Sequence, residues 1–346
     1  MQTFEIQGNN NISRLLVGEK LTNLETYLPE SRTVIITDTV VKRLYGDLFP
    51  QRADVITIGC GEKIKTLDTV RRIYEQLIAL DMDRTGFIVG IGGGIVCDIT
   101  GFAASTYMRG VRFGFVASTL LAQTDASVGG KNGVNFGGYK NMAGVFSQPD
   151  FVICDMTLLS SLAKRELLCG FAEIIKHALI ADVDMFRYLK ENYSQALALN
   201  PQVIEKLVAD SIKIKAAVVS RDELEQGERR KLNFGHTIGH ALEQTGRMPH
   251  GEAVSIGMAA ATAFSAAKGF ISSQDVIRII DLITRYHLPV RSDISPEQLL
   301  AAMRKDKKRT GAKIHFVFLK RLGEALVEAI TFDELKELAS CKIWQK

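Results

Sequence analysis

The stretch Ile88-Val89-Gly90-Ile91-Gly92-Gly93-Gly94-Ile95-Val96-Cys97-Asp98 restricts the fold of this 346-residue chain more than any other. A β-branched run passes through three consecutive glycines into a helix from about Ile95, the form of a strand joined by a tight turn to the helix behind it. Its neighbours repeat the alternation. Residues 33–37, 55–58 and 86–91 read as strands, and further strands are expected at 113–116 and 151–154. Helices are expected at 40–48 and at 67–80, where Leu67, Val70, Ile73, Tyr74, Leu77 and Ile78 recur at helical spacing. This alternation predicts an α/β, Rossmann-like domain with a doubly wound parallel sheet over residues 1–160. Residues 161–346 change texture and read as mainly α-helical, with helices at 165–180, 202–219, 237–244, 252–268 and 272–286. A late strand pair at 314–319 and 325–329 reads as a hairpin.

The balance of 46% apolar and 24% charged residues is that of a soluble chain with a sizeable core. A net charge of +4, with no concentrated basic stripe, argues against a nucleic-acid partner and suits a small anionic substrate. The apolar run Phe87–Cys97 is too short and too glycine-rich for a membrane span. No charged segment followed by an apolar one opens the chain, so a cytoplasmic protein is expected. Cys60, Cys97, Cys154, Cys169 and Cys341 are odd in number and widely spaced, the pattern of free thiols in a reducing compartment.

Three sets of residues carry chemistry. The triple-glycine turn at a helix N-terminus allows a pyrophosphate to approach the backbone and its amides, although a tight packing turn has the same sequence. Asp38, ending the first predicted strand, reads equally as a cofactor contact or a helix N-cap. Three of the six histidines, His236, His240 and His250, fall within fifteen residues. His236 and His240 share a helix face, and Glu173, in an apolar helix, is the best carboxylate to complete a three-ligand divalent-metal site. Spacing does not say which two histidines would bind. His177, His287 and His315 have no such company. Lys131, Lys140, Asn141, Lys215, Arg229 and Asn233 offer cations and amides to an anion, and Asp125 offers an acceptor to a hydroxyl or caps a turn.

As a set these residues resemble the 3-dehydroquinate synthase family. The matching blocks run in the family's order from Gly92–Asp98 through Tyr107-Met108-Arg109-Gly110, 120–131, Lys140-Asn141-Met142 and 173–176. They continue through 213–218, 232–240, 250–254 and Asp306-Lys307-Lys308. The resemblance implies conversion of 3-deoxy-D-arabino-heptulosonate 7-phosphate to 3-dehydroquinate, by transient oxidation, phosphate elimination, reduction and intramolecular aldol closure. It implies NAD and a divalent metal, zinc or cobalt, as cofactors. It implies Glu173, His236 and His250 as metal ligands, with His240 as an acid–base residue at the substrate. Arg109, Asp125, Lys131, Asn141, Lys176, Lys215, Arg229, Asn233 and one of Lys307 and Lys308 match substrate-contacting positions. Of these, Asp125, Lys131, Lys176, Arg229 and Asn233 are also catalytic candidates beside His240. Asp38, Glu62, Lys65, Gly93, Gly94, Asp98, Ser118, Thr119 and Lys140 match NAD-contacting positions. The arginine at the position of Arg109 reaches the partner subunit's site in relatives, which implies a homodimer. Cys97, Ala117-Ser118 and Cys60-Gly61-Glu62 depart from the family's usual residues beside the cofactor. A sister cyclase such as a 2-deoxy-scyllo-inosose synthase tends to carry glutamate at the position of Asn233 and lacks the lysine at Lys215. A metal-dependent polyol dehydrogenase would need no phosphate-binding set.

Overall fold

The computed structural model describes residues 1–8, 12–243, 248–294, 298 and 313–340. The chain divides into two compact units, one of Met1–Ala163 with Lys215–Leu224 and one of Lys164–Ile214 with Glu225–Lys346.

The first unit is built on strands β1 (Gln2–Gln7), β2 (Ile12–Val17), β3 (Thr33–Asp38), β4 (Asp54–Ile58), β5 (Phe87–Gly92), β6 (Arg112–Ala117) and β9 (Phe151–Cys154), with β7 (Lys131–Phe136) and β8 (Tyr139–Phe146) forming a separate antiparallel ribbon. The main sheet runs β1-β2-β9-β6-β5-β3-β4. Six strands pair in parallel, and β1 alone joins antiparallel to β2. β5 is buried along its whole length, which is why its sequence is a continuous apolar and glycine run rather than an alternation. Leu16, Ile35, Val89, Ile91, Val116 and Ile153 form one core, in which Phe87 stacks on Phe151 with ring centroids 5.8 Å apart. Burial of each such side chain stabilises the unit by about 1.5–3 kcal/mol.

Helices α1 (Thr39–Tyr45), α2 (Leu67–Ala79) and α3 (Gly94–Thr106) follow β3, β4 and β5. From β3 the chain steps outward to β4, then returns to β5 on the other side, so the strand order reverses between β3 and β5. In parallel α/β sheets ligands bind beyond the strand ends at this reversal. Asp38 ends β3 and Gly92 ends β5 there.

The second unit contains α4 (Lys164–Ala181), α5 (Val183–Glu191), α6 (Tyr193–Leu197), the first two-thirds of α7 (Pro201–Arg221), α8 (His236–Glu243), α9 (His250–Ala267), α10 (Ser273–Arg285), the antiparallel hairpin β10 (Lys313–Arg321) and β11 (Glu324–Thr331), and α11 (Phe332–Ser340). α9 is rich in Ala, Gly and Ser, and nearly all of it is buried. Small side chains let its backbone come close: a Cβ on Gly257 would sit 1.9 Å from the carbonyl oxygen of Gly235, the residue before α8. That approach brings the start of α8, with His236, against α9, whose first residue is His250.

Several elements were not expected from the sequence. These are β1 and β2, the β7–β8 ribbon, and helices α5, α6 and α11. Helix 40–48 ends as an α-helix at Tyr45 and tightens to a 3₁₀ turn over Gly46–Leu48, where glycine weakens the α-helix. Among the described residues, no helix is long and apolar enough to cross a membrane.

Candidate functional site

In the first unit the triple glycine forms the strand-to-helix turn expected from the sequence. Gly93 is the N-cap of α3, its carbonyl accepting from Cys97 N at 3.1 Å, so the amides opening a 13-residue helix face outward beside the β3–β5 reversal. Asp38 caps α1, its Oδ1 accepting from Val40 N at 2.8 Å and Val41 N at 2.9 Å. Ser118 N donates to the carbonyl of Gly92 at 2.9 Å, and Thr119 Oγ1 accepts from Ala122 N at 3.1 Å. Lys65 is buried; its Nζ pairs with Asp98 and donates to Asn141 Oδ1 at 2.6 Å. Burial pushes the Asp98 carboxyl up, and the Lys65 ammonium pulls it partly back. Glu62 and Lys140 are exposed. Cys97 and Cys154 are buried and free, with burial holding both thiols protonated, while Cys60 is exposed on the loop after β4. Cys169 is buried with its thiol pushed up to about 11, and Cys341 lies outside the described residues.

Asp125 sits in a one-turn π-helix, Ala122–Ala126, a conformation that recurs at functional sites. Lys215 Nζ, nearly buried, donates to the Asp125 carboxylate at 2.6 Å and to its carbonyl at 2.7 Å. Lys131 opens β7 after Gly129 and Gly130, both at positive φ, and is exposed. Arg109 is exposed and, like Met108, lies in the left-handed region with φ of 68° and 49°.

The second unit gathers the histidines around Glu173. Oε1 of Glu173 on α4 lies 3.5 Å from His236 Nε2 on α8 and 3.3 Å from His250 Nε2 on α9. The three donor atoms fall within 4.8 Å of one another. The opposite ring nitrogens are also engaged: His236 Nδ1 lies 3.2 Å from the carbonyl of Phe234, and His250 Nδ1 lies 3.2 Å from Glu243 Oε1. Each Nδ1 therefore carries a proton donated to that oxygen, and each Nε2, once deprotonated, would offer its lone pair beside the Glu173 carboxylate. Three lone pairs converging on one point suit a cation. Two ligand atoms about 2.05 Å from a tetrahedral ion stand about 3.3 Å apart, close to the spacings seen here.

The metal-free electrostatics are polarised. Burial, with help from the Lys176 charge, drives His236 down to about 3. Burial opposes the charged form of His250 as well, but hydrogen bonds to Glu173 and Glu243 outweigh it and carry this residue up to about 10. Lys176 is buried and paired with Glu173. His240 lies beside the cluster, its ring centroid 5.3 Å from that of His236 and 6.5 Å from that of His250. Arg229 is buried in the 3₁₀ turn Glu228–Asn233, and Asn233 Nδ2 donates to Glu225. His177 Nδ1 is bonded to Ser211 Oγ at 2.5 Å, and His315 Nε2 to Arg230 at 3.1 Å. Lys307 and Lys308 lie outside the described residues.

Glu243 was not singled out from the sequence. Its signal was present: positions 236, 240 and 243 lie at i, i+4 and i+7 on one face of α8.

The N-terminal region of the 3-dehydroquinate synthase family matches residues 55–169, and its C-terminal region matches residues 170–309. A 3-dehydroquinate synthase of Dehalococcoides mccartyi is 40% identical over 322 residues, covering 90% of each chain. That of Desulforamulus reducens is 38% identical over 354 residues, covering 97% of this chain and 98% of its own. Among solved structures, a 2-deoxy-scyllo-inosose synthase complexed with carbaglucose-6-phosphate, NAD+ and Co2+ superposes with a TM-score of 0.87 at 27% identity, covering 98% and 99% of the two chains. A 2-epi-5-epi-valiolone synthase from Streptomyces hygroscopicus, with NAD+ and Zn2+ bound, gives 0.88 at 25%, covering 99% of each. An iron-containing alcohol dehydrogenase from Thermotoga maritima, at 14% identity and a TM-score of 0.66, shares the fold alone. The fold and these likenesses define a sugar phosphate cyclase. Within that class, the chain belongs to the 3-dehydroquinate synthase family.

Proposed function

We propose that this chain converts 3-deoxy-D-arabino-heptulosonate 7-phosphate to 3-dehydroquinate and phosphate, with NAD and a divalent metal such as zinc or cobalt. The observation that carries the reading is the convergence of Glu173, His236 and His250, each histidine oriented through its Nδ1, in a chain of this family. Metal and NAD, when bound, supply Lewis-acid polarisation of a ring alcohol and its reversible oxidation.

The chain's own residues then bind, orient and move protons. Glu173, His236 and His250 hold the metal, while Glu243 and the Phe234 carbonyl keep the imidazoles turned inward. The amides opening α3, with Asp38, Glu62, Lys65, Gly93, Gly94, Asp98, Ser118, Thr119 and Lys140, hold the dinucleotide. Lys131, Asn141, Lys176 and Arg109 add positive charge and amide donors for the phosphate, and one of Lys307 and Lys308 joins them. Lys215 and Arg229 bind the carboxylate, and neutral Asn233 adds no repulsion beside it. His240 moves the proton of a substrate hydroxyl. Asp125 accepts from another hydroxyl and holds Lys215 in place. Fixing the substrate in this way contributes through positioning and electrostatics.

Arg109 is exposed on a left-handed turn, and the family resemblance gives it a role in a partner's site, which makes the working form in this reading a homodimer. Three buried free thiols fit a cytoplasmic setting. The test is direct. Purified protein loaded with cobalt or zinc is given NAD and either the heptulosonate phosphate or glucose 6-phosphate. Release of phosphate with dehydroquinate from the first alone supports the reading, and preference for the second moves the chain to the sister cyclases.

A further inference from the structure

The loop leaving β4 and the turn joining β7 to β8 are tied together by one side chain, Asn135. Its Nδ2 donates to Glu62 Oε1 at 2.7 Å, and its Oδ1 accepts from the backbone N–H of Asn141 at 2.9 Å. Its own backbone N–H donates to the Lys65 carbonyl at 2.9 Å, beside a parallel bridge to Thr66. Lys65 closes the circuit, its Nζ donating to Asn141 Oδ1 at 2.6 Å while also pairing with Asp98. Asn141 is held at a φ of 51°, a left-handed conformation that asparagine tolerates better than most residues. A carboxylate only accepts and a backbone N–H only donates, so the orientation of the Asn135 amide is fixed by its two partners. Glu62, Lys65, Asp98 and Asn141 therefore cannot shift independently.

We infer that Asn135 is a positioning residue that locks the segment Glu62–Lys65, on the NAD side, to Asn141, on the substrate side, so that ordering one orders the other. This rests on the cofactor and substrate roles proposed above. Asn135→Asp keeps the shape and the acceptor for Asn141 N–H, but it replaces the donor facing Glu62 with a second carboxylate. Asn135→Ala removes both bonds without adding charge. In the double variant E62Q/N135D, the glutamine amide can donate to the new carboxylate and restore the link.

The metal-loaded full chain, these three variants and E62Q alone are compared by calorimetric titration with NAD and by steady-state kinetics on the heptulosonate phosphate. A lost charge-assisted bond predicts that N135D and N135A raise the NAD Kd about tenfold or more. Because N135A removes the acceptor for Asn141 N–H, its substrate KM should rise about fivefold while kcat at saturation stays within about threefold. Because Glu62 is itself assigned to the dinucleotide, the double variant is read against E62Q: the loss of NAD affinity caused by N135D in the parent should largely disappear in the E62Q background. A folded, metal-loaded N135D or N135A with NAD Kd and KM within twofold of the parent contradicts the lock. So does a lowered Tm as the sole effect, or an N135D penalty as large in the E62Q background as in the parent. Failure of all three variants to fold also contradicts it, since a positioning residue leaves the fold standing. A parent that binds NAD but releases no phosphate overturns the proposed reaction instead, and the NAD titrations still read the lock.

Discussion

Nδ1 of His250 lies 3.2 Å from Oε1 of Glu243, which turns the ring so that Nε2 meets Glu173 at 3.3 Å. The carboxylate at the back of the imidazole thus decides what its front can do. Without metal, His250 bridges two carboxylates as a cation; as a ligand it would instead be neutral, with a basic nitrogen.

Removing either layer of this arrangement should read out in metal content. Glu173→Ala, His236→Ala and His250→Ala should each lose the metal on dialysis with the fold largely intact. Glu243→Gln should keep the fold and weaken metal affinity about 10- to 100-fold. Full metal equivalents in all three alanine variants would refute the ligand assignment.

Metal binding should release a proton. In the metal-free protein His250 is carried up to about 10, so it is charged at pH 7–9 and must lose its proton to bind, whereas His236, driven down to about 3, is already neutral. Affinity should therefore rise about tenfold per pH unit between pH 7 and 9 and level off above about 10. The metal-free fold follows the opposite sense, because a raised histidine stabilises it below about 6.5 and that contribution is lost as pH rises through about 10. Calorimetry in buffers of different ionisation enthalpy measures the proton count, and a count near zero at pH 8 would contradict the bridging role of His250.

The proposed selection of the carboxylate rests on Lys215, Arg229 and Asn233. Lys215→Ala or Arg229→Ala should lower kcat/KM by roughly 30- to several-thousand-fold, the effect of removing one partner from a buried charge pair. Asn233→Glu should be at least as damaging, since Asn233 now donates to Glu225 and a glutamate would meet it as like charge. Circular dichroism and metal content serve as controls. Activity within about twofold of the parent in all three would reopen the sugar phosphate cyclase reading.

The close approach of α9 to the turn before α8 should be intolerant of one methyl group. A Cβ on Gly257 meets the Gly235 carbonyl oxygen at 1.9 Å, so Gly257→Ala must push the backbone apart at a cost of about 1–3 kcal/mol or more. The shift would also move His236, so metal affinity should fall together with the urea midpoint. A variant as stable and as metal-avid as the parent would show that the contact positions nothing.

Much of this was legible in the chain because its signals are local. The triple glycine announced the β5–α3 turn, and 67–80 announced α2 by spacing alone. The β7–β8 ribbon was not legible, since its glycine- and asparagine-rich strands lack apolar alternation and its burial is uneven. β1 and β2 were lost for a related reason: β1 is exposed for most of its length and carries little pattern. At the histidines, spacing put His236 and His240 on one helix face but left open which two would bind, and Glu173 is met by His236 and by His250 from α9. That pairing is set by how α8 packs on α9, a tertiary fact with no local signature. Asp38 shows the converse, a residue whose capping role was readable and whose cofactor role is a matter of resemblance.

The central claim is that oxidation here is transient, and trace cofactor tests it most directly. Metal-loaded protein is given one equivalent of NAD and a large excess of the heptulosonate phosphate, while phosphate, dehydroquinate and NADH absorbance are followed together. The account predicts many turnovers, phosphate and dehydroquinate in equal amounts, and no net accumulation of NADH. A reaction that stops after one turnover with NADH formed in step with product would contradict it and make the protein a dehydrogenase.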